Sequence, residues 1–325
     1  MQTVAVLLAG GGGTRLYPAS RPDRPKQFLT FDDGPSLLER TVDRTEFADR
    51  TFVVTPERYV DAVRETVPDA AILVEPRARD TGPALVYAAH RVRATVGECV
   101  LCCLPTDHHV AGPVTDTLRT AARVAADTGA LVTIGVEPDR VATGYGYIEP
   151  GPPVGDAAAR RVAAFHEKPD ADTASTYVDA GWLWNAGMFA WTPTALLAAA
   201  RDSPLSALVE ALDDGRADDG FAAVTPVSVD HAVLETADDV AVVPGDFAWD
   251  DVGSWDAVAR VFGTDLADRS RRIDSPDTVT AADDDHHIAV LGVDDLVVAA
   301  YDDRVLVCPR EEAERVREIV DGLEK

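Results

Sequence analysis

An apolar run from Thr3 to Leu8, TVAVLL, passes through Ala9 into four consecutive glycines, Gly10 to Gly13, which lead straight to Thr14 and Arg15 and then to Lys26. Four successive residues without a Cβ atom are poor material for a strand or a helix, so the strand ends there and a permissive loop begins. The run before it is continuously apolar, as expected of a strand buried on both faces of a parallel sheet. Backbone N–H groups of such a loop can approach an anion closely. Arg15 adds a planar fork and Lys26 a point charge, both suited to phosphate oxygens.

Two familiar glycine motifs are excluded. A dinucleotide fingerprint starting at Gly10 or Gly11 needs a later glycine where Arg15 or Leu16 stands, and no G-K-[ST] follows to make a Walker loop. The alternative reading is a glycine-rich turn with incidental basic neighbours. Lysine usage argues against it. Of 30 basic residues only Lys26, Lys168 and Lys325 are lysine, the last at the chain end. The other two sit in RPKQF and FHEKP, where a compact ammonium is not interchangeable with a guanidinium.

AGGGGTRLYP together with RPKQF resembles the signature of the sugar-phosphate nucleotidylyltransferases, and the glutamine of PKQF resembles the mannose-1-phosphate guanylyltransferase branch. The similarity continues in order through EPRARDTGPAL, LPTDHH, TGYGYIEPG, FHEKPD, WLWNAGMF, DHAVLE and GDFAWDDVGSWDAV. The resemblance implies that Leu8, Ala9, Gly10, Gly11, Gly12, Gly13, Thr14, Glu75, Asp80 and Thr81 bind the nucleotide. It implies Gly146, Glu167, Lys168 and Asn185 for the sugar phosphate, Arg15, Lys26, Asp107 and Lys168 for catalysis, and Asp107 with Asp251 for a divalent cation. Hard carboxylates that leave sites for water and phosphate suit Mg²⁺.

Two positions depart from the family pattern. Asp250 stands where serine is common before the metal aspartate, and Asp251 is preferred within the pair because it abuts VGSW. Asp80 stands where bacterial relatives usually carry asparagine. Its carboxylate either accepts from the N1–H and N2–H₂ edge of guanine or caps the helix that follows. Glu167 and Lys168 are adjacent, so on a regular strand they point oppositely and share a task only if the chain bends at Pro169.

The resemblance implies GMP transfer from GTP to mannose 1-phosphate, giving GDP-mannose and pyrophosphate, by in-line attack without a covalent intermediate. The alternatives are thymidylyl, uridylyl or adenylyl transfer to glucose 1-phosphate, and a non-catalytic subunit that senses nucleotide sugars. A formal net charge of −26 argues against nucleic-acid binding and suits a high-salt, halophilic cytoplasm. No membrane association or targeting segment is expected, since the first apolar stretch is too short to span a bilayer. Four cysteines fit a reducing cytoplasmic setting. Cys99 and Cys102 make a C-x-x-C near His108 and His109, but residues three apart on a strand face opposite ways, so a core role is expected rather than zinc.

Strand signals at Thr3–Leu8, Arg50–Val54, Ala71–Val74, Cys99–Leu104 and Ala130–Val136 alternate with helix signals at Ser36–Thr45, Glu57–Val67, Gly82–Thr95 and Thr115–Thr128. Further helices are predicted at Ala171–Ala180 and Thr192–Arg201. This predicts an α/β fold with a doubly wound, mostly parallel sheet. Ser36 and Glu39 form a capping box. After Phe262 the sequence changes to short β-rich stretches, IAVLGV, LVVAAY and RVLVCP, and a final helix over Glu311–Leu323. The predicted division is a catalytic domain over 1–262 and a small domain over 263–325. The resemblance implies a left-handed β-helix or its remnant for the latter, with a role in assembly, and a homodimer.

Overall fold

In the computed structural model, which describes residues 1–155 and 158–323, the chain falls into two units that do not follow chain order. The first comprises 1–10, 41–105 and 110–249, and the second 11–40, 106–109 and 250–325.

The first unit is built on β1 (Thr3–Leu8), β2 (Arg50–Pro56), β3 (Ala71–Glu75) and β4 (Val100–Pro105). The short strands β5 (His109–Ala111) and β11 (Ala248–Asp250) lie where the chain passes from one unit to the other. Between them come β6 (Leu131–Val136), β7 (Gly146–Pro153), β8 (Arg160–Glu167), β9 (Leu183–Trp191) and β10 (Val240–Gly245). The main sheet has the order β3-β2-β1-β4-β9-β6-β10-β8-β7.

Val4, Val6 and Leu7 of β1 are fully buried, each contributing about 1.5–3 kcal/mol by leaving water. Val4 and Val6 pack with Leu85, Ala88, Ala89 and Val92 of the helix Thr81–Val96. Replacing Val6 with aspartate would bury an uncompensated charge there and break the packing. The helix Val114–Thr128 buries Leu118, Ala121 and Ala125 and ends at Gly129, whose φ of 73° supplies a left-handed cap.

The mostly parallel, doubly wound sheet is correct for one edge only. β3, β2, β1 and β4 pair in parallel, and so do β6 and β10. But β9 runs antiparallel to β4, β6 and β7, and β8 runs antiparallel to β7 and β10. With the β7–β9 pairing the strands β9-β6-β10-β8-β7 close into a ring. Apolar runs report burial, not direction. Nothing local in WLWNAGMFAW distinguishes a parallel return from an antiparallel one.

In the second unit β12 (Asp265–Leu266), β14 (Val279–Ala282) and β16 (Leu296–Tyr301) stack in parallel, as do β13 (Ser270–Ile273) and β15 (Ile288–Leu291). Val279 opposes Val297 and Ser270 opposes Ile288, the repeat of successive β-helix-like coils. The stack ends in β17 (Arg304–Pro309), antiparallel to β16. The predicted final helix begins instead as a 3₁₀ segment, Arg310–Arg315, and becomes α-helical over Val316–Leu323.

One core joins these coils to the glycine-loop segment. Leu16, Ala19 and Leu29 pack with Val252, Trp255, Val279, Val297, Leu306 and Val316. Trp255 Nε1 donates to the Tyr17 carbonyl at 2.9 Å. In the capping box, Glu39 Oε2 accepts from Ser36 N at 2.7 Å and Ser36 Oγ accepts from Glu39 N at 3.3 Å. The bonds from Ser36 hold the Glu39 carboxyl below its ordinary range.

Candidate active site

Within the second unit, Gly13 takes φ 61° and ends the glycine loop against Lys26. A Cβ at Gly13 would overlap the Cβ of Lys26, so only glycine lets the two segments pass there. A Cβ at Gly11 would meet nothing within 4 Å, so the space over the start of the loop is open. Arg15 follows in the 3₁₀ turn Thr14–Leu16.

Lys26 is 4 % exposed. Its Nζ donates to Asp107 Oδ2 at 3.0 Å and to the Asp251 carbonyl. Burial by itself would raise the Asp107 carboxyl, but the Lys26 ammonium and the nearby His108 outweigh it and hold it below the usual range. Asp251 Oδ1 accepts from Gly253 N at 3.2 Å. Arg15 Nη2 lies 3.2 Å from where a Cβ of Gly253 would stand, and Arg15 Nη1 donates to Glu314 Oε2 at 2.5 Å. Gly11 to Gly13, Arg15, Lys26 and both candidate metal aspartates thus share one unit.

Asp250 has a different environment. Its Oδ2 accepts from Arg260 Nη2 at 2.6 Å and Nε at 3.0 Å, and its Oδ1 accepts from Val252 N at 2.8 Å. Val252 carries φ 48°, rare for a β-branched residue and a mark of local strain. The bonds of Asp250 and of Asp251 hold that strained turn from both sides. Asp107 and Asp251 fit a hard divalent cation by donor chemistry, and one lysine holds both residues, Asp107 by its carboxylate and Asp251 by its main-chain carbonyl. Asp250 is already committed to Arg260.

The first unit carries the remaining candidates. Leu8 and Ala9 end β1, with Ala9 N donating to the Val54 carbonyl at 2.9 Å and Thr55 Oγ1 to the Ala9 carbonyl at 3.0 Å. Glu75 closes β3, and its Oε1 would lie 3.0 Å from a Cβ on Gly10. Burial pushes its carboxyl up to about 7, against a smaller opposing pull from Arg58. Asp80 caps the helix: its Oδ1 accepts from Thr81 N at 2.7 Å, and its φ of 71° is a conformation that favours glycine. Thr81 Oγ1 accepts from Val229 N at 3.0 Å.

The bend needed to bring Glu167 and Lys168 together occurs at Lys168 itself, not at Pro169. Lys168 has φ 48° and its N donates to the Tyr145 carbonyl at 3.2 Å, so its Nζ comes to 3.0 Å from Glu167 Oε1. Glu167 Oε2 would lie 2.5 Å from a Cβ on Gly146, so the carboxylate end of Glu167 lies directly over that glycine. Asn185 is not the open donor and acceptor its sequence setting suggests. Its Oδ1 accepts from Thr133 Oγ1 at 2.8 Å and Gly187 N at 3.1 Å, and its Nδ2 donates to Asp230 Oδ1 at 2.7 Å.

Asp230, which accepts from Asn185, is a partner that the sequence does not point to. DHAVLE belongs to the resemblance, but no local pattern in it points at one carboxylate. Arg260 and Glu314 were equally invisible, because each acts on a residue outside its own segment. Cys99, Cys102 and Cys103 are buried, and burial pushes Cys99 to about 11 and Cys102 to about 12. Among the described residues no helix is long and apolar enough to cross a membrane.

Residues 4–268 match the nucleotidyl transferase family, and 268–323 match the MannoseP isomerase/GMP-like beta-helix domain. The chain is 36 % identical to the xanthan biosynthesis protein XanB of Xanthomonas campestris, over 98 % of this chain and 72 % of that one. It is 34 % identical to a mannose-1-phosphate guanylyltransferase of Escherichia coli, over 98 % of this chain and 74 % of that one. The crystal structure of a mannose-1-phosphate geranyltransferase from Thermus thermophilus covers 100 % of both chains at 36 % identity and a TM-score of 0.91. By loop, domain match and overall similarity, the chain belongs to the nucleotidyl transferase family and is an enzyme.

Proposed function

We propose that this enzyme transfers GMP from GTP to mannose 1-phosphate, giving GDP-mannose and pyrophosphate. The observation that carries the reading is the buried Lys26, which gathers Asp107 and Asp251 beneath a glycine loop bearing Arg15. That arrangement suits a polyphosphate and a cation. The choice of base and sugar rests on similarity to mannose-1-phosphate guanylyltransferases.

An oxygen of mannose 1-phosphate attacks the α-phosphorus of GTP in line as the bond to pyrophosphate breaks. The attacking oxygen is already ionised near neutral pH, so no protein base or nucleophile is required. Asp107 and Asp251 would hold Mg²⁺, which when bound supplies charge neutralisation between two anions that must meet. Arg15 and the amides of Gly11 to Gly13 bind and orient the triphosphate, and Lys26 holds the Asp107 carboxylate and the Asp251 main chain in place. Leu8, Ala9, Gly10, Glu75, Asp80 and Thr81 receive the nucleoside, and Gly146, Glu167, Lys168 and Asn185 the sugar phosphate. Catalysis is then positioning plus charge stabilisation. In this reading 1–262 is the catalytic domain, 263–325 the assembly domain, and the protein a cytoplasmic homodimer.

Pyrophosphate release measured over an array of nucleoside triphosphates and sugar 1-phosphates tests the proposal. Turnover should be greatest with GTP and mannose 1-phosphate. Preference for glucose 1-phosphate with UTP, dTTP or ATP would replace the reading with a sister activity. Binding without turnover on any pair would make the protein a sensor.

A further inference from the structure

Asn185 stands in β9 at an irregularity in its pairing with β6, where Gly135 opposes Asn185 but Thr133 opposes Phe189. Gly187, with φ 66°, supplies the extra length. The amide of Asn185 cannot turn over. Gly187 N is only a donor, so the carbonyl end must face it, and Thr133 Oγ1 occupies the same oxygen. What Asn185 has for a ligand is therefore its nitrogen end, and that end is held by Asp230 Oδ1 at 2.7 Å.

Asp230 opens a π-helical turn, Asp230–Leu234, in which its carbonyl accepts from Glu235 N at 3.0 Å. Such turns are rare and recur at functional sites. Ala232, Val233 and Leu234 anchor the turn in the core. Asp230 faces Glu167 and Asp80, both of which oppose its ionisation. Burial is the larger effect, and together they raise its carboxyl to about 7 despite the bond from Asn185. A neutral side chain would hold Asn185 at less cost to stability than a carboxylate among carboxylates.

We propose that Asp230 is a positioning residue for sugar-phosphate recognition, acting through Asn185, whose nitrogen end it aims at a hydroxyl of the sugar. The proposal rests on the reading of Asn185 as a sugar-phosphate ligand and adds the group that orients it. The carboxylate of Glu167, held by Lys168, supplies an acceptor on the same side, so a polyhydroxylated ligand meets a fixed donor beside a fixed acceptor.

The test is steady-state kinetics of Asp230→Ala and Asp230→Asn beside the wild type. Asp230→Ala should raise KM for mannose 1-phosphate by about tenfold or more and leave KM for GTP within about twofold. Asp230→Asn keeps an acceptor oxygen for Asn185 and should recover KM to within about threefold of wild type. Equal rises in both KM values, or Asp230→Asn as impaired as Asp230→Ala, would overturn the proposal. If Asp230→Ala does not fold, Thr133→Val removes the bond at the other end of Asn185. It should raise the same KM, and an unchanged KM overturns the proposal. Should the wild type prefer another sugar phosphate, the function proposed above fails while the same comparison on that substrate still decides the role of Asp230. Should it turn over none, the thermal shift given by mannose 1-phosphate decides: a shift lost in Asp230→Ala and kept in Asp230→Asn supports the role, and any other pattern overturns it.

Discussion

Lys26 donates from a buried Nζ to Asp107 Oδ2 at 3.0 Å and also to the main-chain oxygen of Asp251, so one ammonium ties two segments far apart in sequence. Its stem passes directly against Gly13. Arginine at this position would keep the charge but bring a larger, planar head to the place between Asp107 and the Asp251 carbonyl that the ammonium fills. Lys26→Arg should lower turnover by at least about tenfold, equivalent to about 1.4 kcal/mol of transition-state stabilisation. Near-normal kcat in a folded Lys26→Arg protein would show that any cation serves.

The two adjacent aspartates make opposite predictions. Asp107→Asn and Asp251→Asn should each remove most activity, because their assigned task is to hold a cation, and Asp107→Asn should also lower Tm, because it leaves the buried Lys26 ammonium without its carboxylate partner. Asp250→Ser should retain activity and lose stability, by about 1–3 kcal/mol, because it strips Arg260 of a buried partner. Tm and kcat measured on all three variants check this, and loss of activity confined to Asp250→Ser would reverse the assignment.

Glu75 gives a pH dependence whose sign is fixed by its environment. Burial holds its carboxyl up at about 7, above the ordinary value of 4.5, so between those values the folded protein binds the proton and the unfolded chain does not. Its contribution to stability is present below the unfolded value and is lost as pH rises toward about 7. Glu75→Gln should therefore be more stable than wild type at pH 8, by an amount on the order of 3 kcal/mol, with little difference near pH 4. Tm of both proteins across that range is the measurement. A constant gap would mean that Glu75 keeps an ordinary pKa.

Base selectivity follows if Glu75 and Asp80 present acceptors to N1–H and N2–H₂ of guanine. ITP retains N1–H and lacks the amine, whereas ATP sets an acceptor against the pocket's own. The expected order of kcat/KM is GTP, then ITP, then ATP, with ATP disfavoured strongly because unsatisfied buried polar groups are costly. Equal use of ATP and GTP in competition would mean that stacking holds the base.

A formal net charge of −26 implies self-repulsion in the folded state that salt relieves. Raising KCl from about 0.1 M to 1 M shortens the screening length from about 10 Å to 3 Å and should raise Tm. A Tm that falls or stays level over that range would remove the high-salt reading of the composition.

Features that arise between near neighbours are legible in the residues alone. TVAVLLA followed by four glycines could only be a buried strand ending in an open loop, and β1 ends at Leu8. Ser36 and Glu39 sit at capping-box spacing and make the reciprocal bonds. The runs around residues 50, 71, 100 and 131 became strands because apolar character over several residues suffices to specify burial. Strand direction beyond β4, the commitment of Asp250 to Arg260 and the bend at Lys168 emerge only in the assembled fold. So do the meeting of Asp230 with Asn185 and the single core that the β-helix-like coils share with Leu16 and Leu29. Each of these depends on which sheet edge or core a distant segment returns to. That choice is set by the summed burial and pairing of many residues, and it leaves no periodic trace in the few residues whose chemistry it determines.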